Sequence, residues 1–192
     1  MPQHTMTVEE FLVWSQAQPK EAGRFELWDG HIIVKRGAAG EMNAERSQHW
    51  RMKARLYRAM YDAFRTAGLQ GEVVVDGASV RLPRNRLAEP DVLVYLGPEA
   101  PADATVAPDP IIVCEVLSPS TARFDMSLKL DGYFALADLQ HYIIADPDTP
   151  LLIHHARGAG TTLQTRIISD GSVPLTLDPP GLTLDLTEIL GG

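Results

Sequence analysis

The sequence predicts a single α/β domain, residues 1–192, in which helices pack on the faces of a mixed β-sheet. Two segments, residues 44–67 and 121–138, place apolar side chains at helical spacing. Short runs of β-branched and aromatic residues lie between and after them, bounded by Gly, Pro and Asp turns. No internal repeat, low-complexity tract or obvious domain break divides the sequence.

Composition and charge narrow the class of protein. Apolar residues make up 45% and charged residues 22% of the chain, as in soluble globular proteins. The single cysteine, Cys114, excludes an internal disulfide and offers no set of thiolates for a metal. Neither a signal-peptide pattern nor a run of about 18 apolar residues occurs, so we expect a cytoplasmic protein with no membrane contact. Residues 91–192 hold 14 Asp/Glu against 4 Lys/Arg, which suits either a cation-binding cleft or a solubilising surface.

The first predicted elements are a short helix and a hairpin. Thr7 and Glu10 form the capping-box pattern that opens a helix. Residues 24–28 and 31–34 are two β-like runs joined by Asp29-Gly30. Asp-Gly favours the positive φ angles of a tight hairpin turn, so these runs predict an antiparallel pair.

The helix predicted over residues 44–67 carries a basic stripe formed by Arg51, Arg55, Arg58 and Arg65, with Lys53 nearby. Most charged helix faces are only solvated. A basic face can also contact a phosphate backbone, and Arg51, Arg55 and Arg58 are the candidate nucleic-acid-binding residues.

Glu26 and His49 each leave two interpretations open. Glu26 alternates with its apolar neighbours in the first hairpin, and the pattern favours a solvated carboxylate over one that points into a cleft. His49 lies early in the long helix, where local packing is favoured over donation into a site.

Two acids lie on apolar strands in the middle of the chain. Asp91 begins the strand 91–95, after a second hairpin predicted around Asp76-Gly77. Glu115 lies inside the apolar run 111–117, where an ionised carboxylate is unfavourable unless it has a partner. Such a position predicts a cation beside Glu115.

The helix that follows, residues 121–138, places Asp125, Lys129 and Tyr133 four residues apart and therefore on one face. The remaining predicted elements are strands at residues 141–146, 151–156, 163–169 and 182–184, and a short helix at residues 186–190.

These acids and the lysine predict a chemistry. Asp91 and Glu115 could hold a magnesium ion if their strands are adjacent, and the Val116 carbonyl is a further candidate ligand. An ion held in this way activates water and neutralises charge on a phosphodiester, while Lys129 could orient that water or stabilise the transition state. A structural salt bridge between Glu115 and Lys129 would account for much of the same pattern.

Several segments carry a resemblance to a known family: TVEEF, RFELWDG, EPDVLVY, IIVCEVLSPSTARFDMSLKLDGY, HYIIADP and PGLTLDLTEIL. In order and spacing the sequence resembles the Uma-two family of restriction endonucleases, within the PD-(D/E)XK nuclease superfamily. The resemblance implies a restriction-endonuclease-like core over residues 44–146, with the order helix, three strands, helix, strand. It also implies hydrolysis of DNA with Mg²⁺ or Mn²⁺. A homodimer is expected by analogy, because cleavage of a duplex needs two sites.

The resemblance implies roles for individual residues. Asp91 and Glu115 match the two acids of the superfamily motif, as metal ligands, but Leu117 stands where the motif expects a lysine. Lys129 matches the lysine that the family supplies from the next helix. Four more residues match family positions near the site: Glu26, His49, Asp125 and Tyr133.

The leading hypothesis is therefore a magnesium-dependent endonuclease acting on DNA, with Asp91, Glu115 and Lys129 as catalytic residues. Two alternatives stay open. One is a non-catalytic nucleic-acid-binding or assembly module on the same fold, and the other is a hydrolase of smaller phosphodiesters.

Overall fold

A computed structural model describes residues 5–19, 22–36, 47–117 and 125–191. The described helices are α1 (Val8–Gln16), α2 (Ser47–Ala67), α3 (Leu130–Phe134), which continues a π-helical turn (Asp125–Lys129), and α4 (Thr187–Leu190). The described strands are β1 (Arg24–Trp28), β2 (His31–Arg36), β3 (Gly71–Val75), β4 (Val80–Leu82), β5 (Arg86–Ala88), β6 (Val92–Leu96), β7 (Ile112–Val116), β8 (His141–Asp146), β9 (Leu151–Arg157), β10 (Leu163–Ile168), β11 (Leu175–Leu177) and β12 (Leu182–Leu184).

The largest sheet has six strands in the order β10-β9-β8-β7-β6-β3. Strands β7 and β8 run parallel, and the other neighbouring pairs are antiparallel. Parallel neighbours need a crossover connection, which the segment containing the π-helical turn and α3 supplies. The predicted fold class, a mixed central sheet flanked by helices, is confirmed.

Strand β7 is buried along its whole length, and its two faces meet different apolar clusters. Cys114 and Val116 belong to the cluster built on α2 and the C-terminal elements. Val113 belongs to the cluster on the opposite face, together with Tyr133 of α3. Residues two apart in a strand share a face, so Glu115 projects on the same side as Val113 and Tyr133.

The second sheet, in the order β2-β1-β5-β4, contains the first predicted hairpin. Strands β1 and β2 pair antiparallel across Asp29-Gly30, whose φ angles are 51° and 80°. Positive φ at both central residues is what a type I′ turn requires. Helix α1 begins with the predicted capping box of Thr7 and Glu10, and packs against this sheet through an apolar cluster.

The second predicted hairpin, around Asp76-Gly77, is wrong. The two residues do have positive φ angles, 51° and 78°, but the strands on either side belong to different sheets. Strand β3 pairs with β6, whereas β4 pairs with β5. The Asp76 amide donates to the Asp91 carbonyl at 3.0 Å, and the chain passes from one sheet into the other. Turn chemistry indicates that the chain turns, but it does not choose the strand partner.

Helix bounds differ from the predicted ones. Residues 37–46 and 118–124, where both long helices were predicted to begin, lie outside the described residues. The helix after β7 ends at Phe134 and not at residue 138. The chain leaves the helix there because Leu136 and Leu139, in the turns that follow it, are buried. The sequence also missed β11, which pairs with β12. None of the described helices is long and apolar enough to cross a membrane.

Candidate active site

Three carboxylates from separate elements lie in one buried cluster. Glu26 is on β1 and 2% exposed, Asp91 directly precedes β6 and is 2% exposed, and Glu115 is on β7 and 1% exposed. Carboxylates buried to this extent need cations or hydrogen-bond donors. Three lysines of the described chain supply positive charge to the cluster: Lys35, Lys53 and Lys129.

The two carboxylate oxygens of Asp91 have different surroundings. Its Oδ2 accepts the backbone N–H of Val116 at 2.8 Å. Its Oδ1 is buried and has no hydrogen-bond partner within the described part of the chain, although Lys53 and Lys35 lie 3.4 and 3.7 Å from it. Burial acts to raise the pKa of Asp91, but Lys35, Lys53 and the Val116 N–H outweigh it and lower the pKa to about 2. Asp91 is therefore ionised at neutral pH.

Two side chains of the crossover segment donate hydrogen bonds to Glu115. Its Oε1 accepts from the Lys129 ammonium at 2.7 Å and from the Tyr133 hydroxyl at 2.8 Å. Burial and the charge of Glu115 raise the pKa of Tyr133 well above its usual range, so the hydroxyl keeps its proton and donates. Both donors bind Oε1, while Oε2 lies 3.9 Å from the Lys35 ammonium. The predicted residues Lys129 and Tyr133 thus meet Glu115.

Glu26 is buried, so the interpretation as a solvated carboxylate is wrong. Its Oε1 accepts from Lys129 at 3.1 Å and from the Glu89 N–H at 2.9 Å, and the Trp28 indole donates to Oε2 at 3.2 Å. Burial acts to raise the pKa of Glu26, but Lys129 and Lys35 outweigh it and hold the pKa below its usual range. Alternation along β1 indicated the direction of Glu26 correctly, but the packing of the second sheet against the central one decides what that side meets.

Sequence reasoning missed Lys35 and Lys53. The register of the first hairpin pairs Glu26 with Ile33, and Lys35 lies two residues further along the same face. Lys53 donates to Asp76 at 3.0 and 3.2 Å and lies one helical turn after His49. Strand alternation and helical spacing could therefore have placed both lysines near the predicted acids.

His49 reaches the site through the backbone of β7. It is 8% exposed, and its Nε2 lies 2.8 Å from the Val116 carbonyl, as a donor to that oxygen. The interpretation as local packing is thus incomplete, because His49 contacts one of the candidate metal ligands. The side chain of Asp125, another predicted supporting residue, lies outside the described side chains.

The basic stripe does not face the cluster. Each helical residue is rotated by about 100° from the one before, which puts Arg51, Arg55 and Arg58 on the side of α2 opposite Lys53. Arg58 forms an ion pair with Glu188 of α4. Nucleic-acid contact by these arginines stays a prediction, and it concerns the outer surface of α2.

Comparison with known families decides what the chain is related to. The model of the Uma2 family, described as "Putative restriction endonuclease", matches residues 8–187. The chain belongs to this family. The predicted resemblance is thereby confirmed, while none of the curated proteins matches the sequence.

One solved structure similar to this Uma2 chain is described as a "putative nuclease belonging to DUF820" from Anabaena variabilis. The match has a TM-score of 0.70 and covers 97% of this chain and 98% of that chain. Sequence identity is 15%, so the likeness shows the fold alone.

The Uma2 chain offers oxygen ligands that fit a magnesium ion. The candidate donor set is Asp91 Oδ1, Glu115 Oε2 and the Val116 carbonyl, all of the hard oxygen type that Mg²⁺ prefers. The decisive observation is Asp91 Oδ1, a buried oxygen for which the described residues supply no hydrogen bond. Among the described residues, however, no group of three or more His, Cys, Asp or Glu is already arranged to hold a metal. The ligand types nonetheless fit, with two carboxylates and one backbone carbonyl in the candidate set.

Proposed function

We propose that this Uma2 chain is a nuclease that hydrolyses DNA phosphodiester bonds with Mg²⁺ or Mn²⁺ as its cofactor. The observation that carries the proposal is the Oδ1 oxygen of Asp91, which is buried and ionised and has no hydrogen-bond partner among the described residues. Buried polar atoms without a hydrogen bond are rare in native structures, and a bound ion is one of the recognised explanations. A divalent cation is the ligand whose charge and oxygen preference suit it.

Asp91, Glu115 and the Val116 carbonyl are the proposed metal ligands. A metal ion bound there supplies Lewis acidity, which activates water and neutralises charge on the phosphodiester. Lys129 is the proposed catalytic lysine, since its ammonium adds positive charge next to Glu115 where negative charge develops on the phosphorus oxygens.

Three further residues position this machinery. Glu26 accepts a second hydrogen bond from Lys129, and Tyr133 donates to Oε1 of Glu115. His49 binds the Val116 carbonyl and so restrains the backbone next to Glu115. Each acts through another residue, so we assign them positioning roles.

The proposed substrate is duplex DNA and the proposed assembly is a homodimer. The family description, a restriction endonuclease, supports DNA as the substrate. Cleavage of both strands of a duplex needs two active sites, which a symmetric dimer provides. Light scattering coupled to size-exclusion chromatography tests the dimer, and a monomer at all concentrations would contradict it.

Purified protein incubated with duplex, single-stranded and branched DNA tests the activity. We expect cleavage with Mg²⁺ or Mn²⁺ and none with EDTA. Asp91→Asn and Glu115→Gln should abolish cleavage, whereas matched changes at the exposed acids Asp103 and Glu99 should leave it intact.

The remaining outcomes separate the alternatives. Hydrolysis of bis-p-nitrophenyl phosphate without DNA cleavage would favour the hydrolase of smaller phosphodiesters. DNA binding that is independent of metal, without hydrolysis of either substrate, would favour the non-catalytic module.

A further inference from the structure

Lys35 lies next to all three buried carboxylates. Its ammonium is 3.7 Å from Asp91 Oδ1, 3.9 Å from Glu115 Oε2 and 4.0 Å from Glu26 Oε1. Two of these oxygens are the carboxylate atoms assigned above to the metal. We propose that the Lys35 ammonium occupies the cation position of the site and must withdraw before a divalent metal ion can bind there.

Lys35 is held differently from the other two lysines. Lys129 and Lys53 donate directly to carboxylates, at 2.7 and 3.0 Å, whereas Lys35 donates to the Glu89 carbonyl and stays beyond 3.5 Å from every acid of the cluster. Lys35 therefore interacts with these three acids through charge, at distances too long for a hydrogen bond. Such contacts resemble those of a counterion that balances charge more than those of a structural salt bridge.

Lys35 also has a route to solvent. Its side chain is 10% exposed, against 2% for Lys129 and 3% for Lys53. Strand β2 is an edge strand of the second sheet, and the neighbouring Val34 is 47% exposed. A long, flexible lysine stem at such an edge can move its ammonium outward by side-chain rotation.

The charges of the cluster explain why the Lys35 ammonium and a divalent ion would compete for one position. With Lys35 in place, three lysines face three carboxylates and the cluster is formally neutral. Addition of a divalent ion beside an ammonium less than 4 Å from both acids would place like charges together, which is unfavourable. Departure of Lys35 removes an ammonium from beside both Asp91 Oδ1 and Glu115 Oε2, where the metal would bind. The inference rests on the proposed metal site and makes Lys35 the residue that sets its metal affinity.

Calorimetric titration of Mn²⁺ into the intact protein tests the inference without use of activity. Lys35→Met should bind Mn²⁺ at least about tenfold more tightly than the wild type, because the competing ammonium is gone. Lys53→Met is the matched control, since it also removes a positive charge 3.4 Å from Asp91 Oδ1 but no charge next to Glu115. Tightening by Lys53→Met should be clearly smaller.

The outcomes separate the inference from the proposed function. Equal tightening by both substitutions would mean a general charge effect, and unchanged affinity in Lys35→Met would mean no competition. Either result overturns the inference while the metal site stands. Absence of Mn²⁺ binding in the wild type and both variants would overturn the metal site itself.

A second measurement covers the case in which Lys35→Met does not fold. Reductive methylation of the wild type, read by mass spectrometry, should be slow at Lys35 and become several-fold faster when saturating Mn²⁺ is added. Lys129 should stay protected in both conditions. A methylation rate at Lys35 that Mn²⁺ leaves unchanged would overturn the inference.

Discussion

The Lys129 ammonium lies 2.7 Å from Oε1 of Glu115, and both side chains are 2% exposed. This ion pair joins the π-helical turn of the crossover to the middle of the central sheet. Leu117, two residues after Glu115 and just beyond the end of β7, carries no charge, and the positive charge reaches Glu115 from the helix. Lys129 and Glu115 are close enough for a direct hydrogen bond, whereas Lys35 stays 3.7 Å or more from each acid of the cluster.

Removal of the Lys129 charge should destabilise the fold. Lys129→Met leaves Glu26 and Glu115 buried without their shared partner, and loss of one member of a buried ion pair costs about 3–5 kcal/mol. Denaturant unfolding at neutral pH measures the change. Arg81→Met, which breaks an exposed pair with Glu9, is the control and should cost no more than about 1 kcal/mol. Equal, small losses in both variants would show that Lys129 is not a structural partner of Glu115.

Acid should weaken the fold through Asp91. Its pKa is lowered from the usual 3.8 to about 2 in the folded protein, so the unfolded chain takes up its proton first as the pH falls. Stability that is present above pH 3.8 is therefore lost as the pH falls through about 2, by about 2 kcal/mol. Asp91→Asn cannot titrate and should lose less stability than the wild type over this window. Identical losses, measured by denaturant unfolding at pH 5 and pH 2, would contradict the assignment.

The Tyr133 hydroxyl should contribute to stability as a donor to a charged acceptor. Tyr133→Phe removes the 2.8 Å hydrogen bond to Glu115 and should lower the free energy of unfolding by about 1.5–3 kcal/mol. Tyr61→Phe, at a tyrosine that is 42% exposed, is the comparison and should have little effect. No difference between the two variants in urea unfolding would argue against a specific role for this hydrogen bond.

The arginine stripe on α2 should act through DNA phosphates if the nucleic-acid prediction is correct. Changing Arg51, Arg55 and Arg58 together to Gln should weaken DNA binding and reduce the slope of log K against log salt by about 2–3. Arg81→Gln, on the second sheet, is the control for loss of a positive charge away from α2. An unchanged salt slope in the triple variant would mean that DNA reaches the site without contact with this face of α2.

Much of the site could be predicted because its signals are local. An acid within an apolar strand marks Glu115, and spacing by four along a helix brings Lys129 and Tyr133 to one acceptor oxygen. The same kind of signal gave the first hairpin at Asp29-Gly30. Each of these patterns follows the period of one element, although the contact with Glu115 also needs the crossover helix to pack on the central sheet.

The errors concern contacts between elements. Glu26 points away from its apolar neighbours, as predicted, but that side faces the central sheet and not water. Asp76-Gly77 has the conformation of a hairpin turn, yet β3 and β4 find partners in different sheets. Which sheet a strand joins depends on long-range packing, and single-element patterns do not contain it.

The most direct test of the central claim is a crystal structure with Mn²⁺, in which anomalous scattering locates the metal. We predict one Mn²⁺ ion bound by Asp91 Oδ1 and Glu115 Oε2, with the Val116 carbonyl as a further ligand and Lys129 still paired with Glu115. Saturating Mn²⁺ with no anomalous peak between Asp91 and Glu115 would contradict the account.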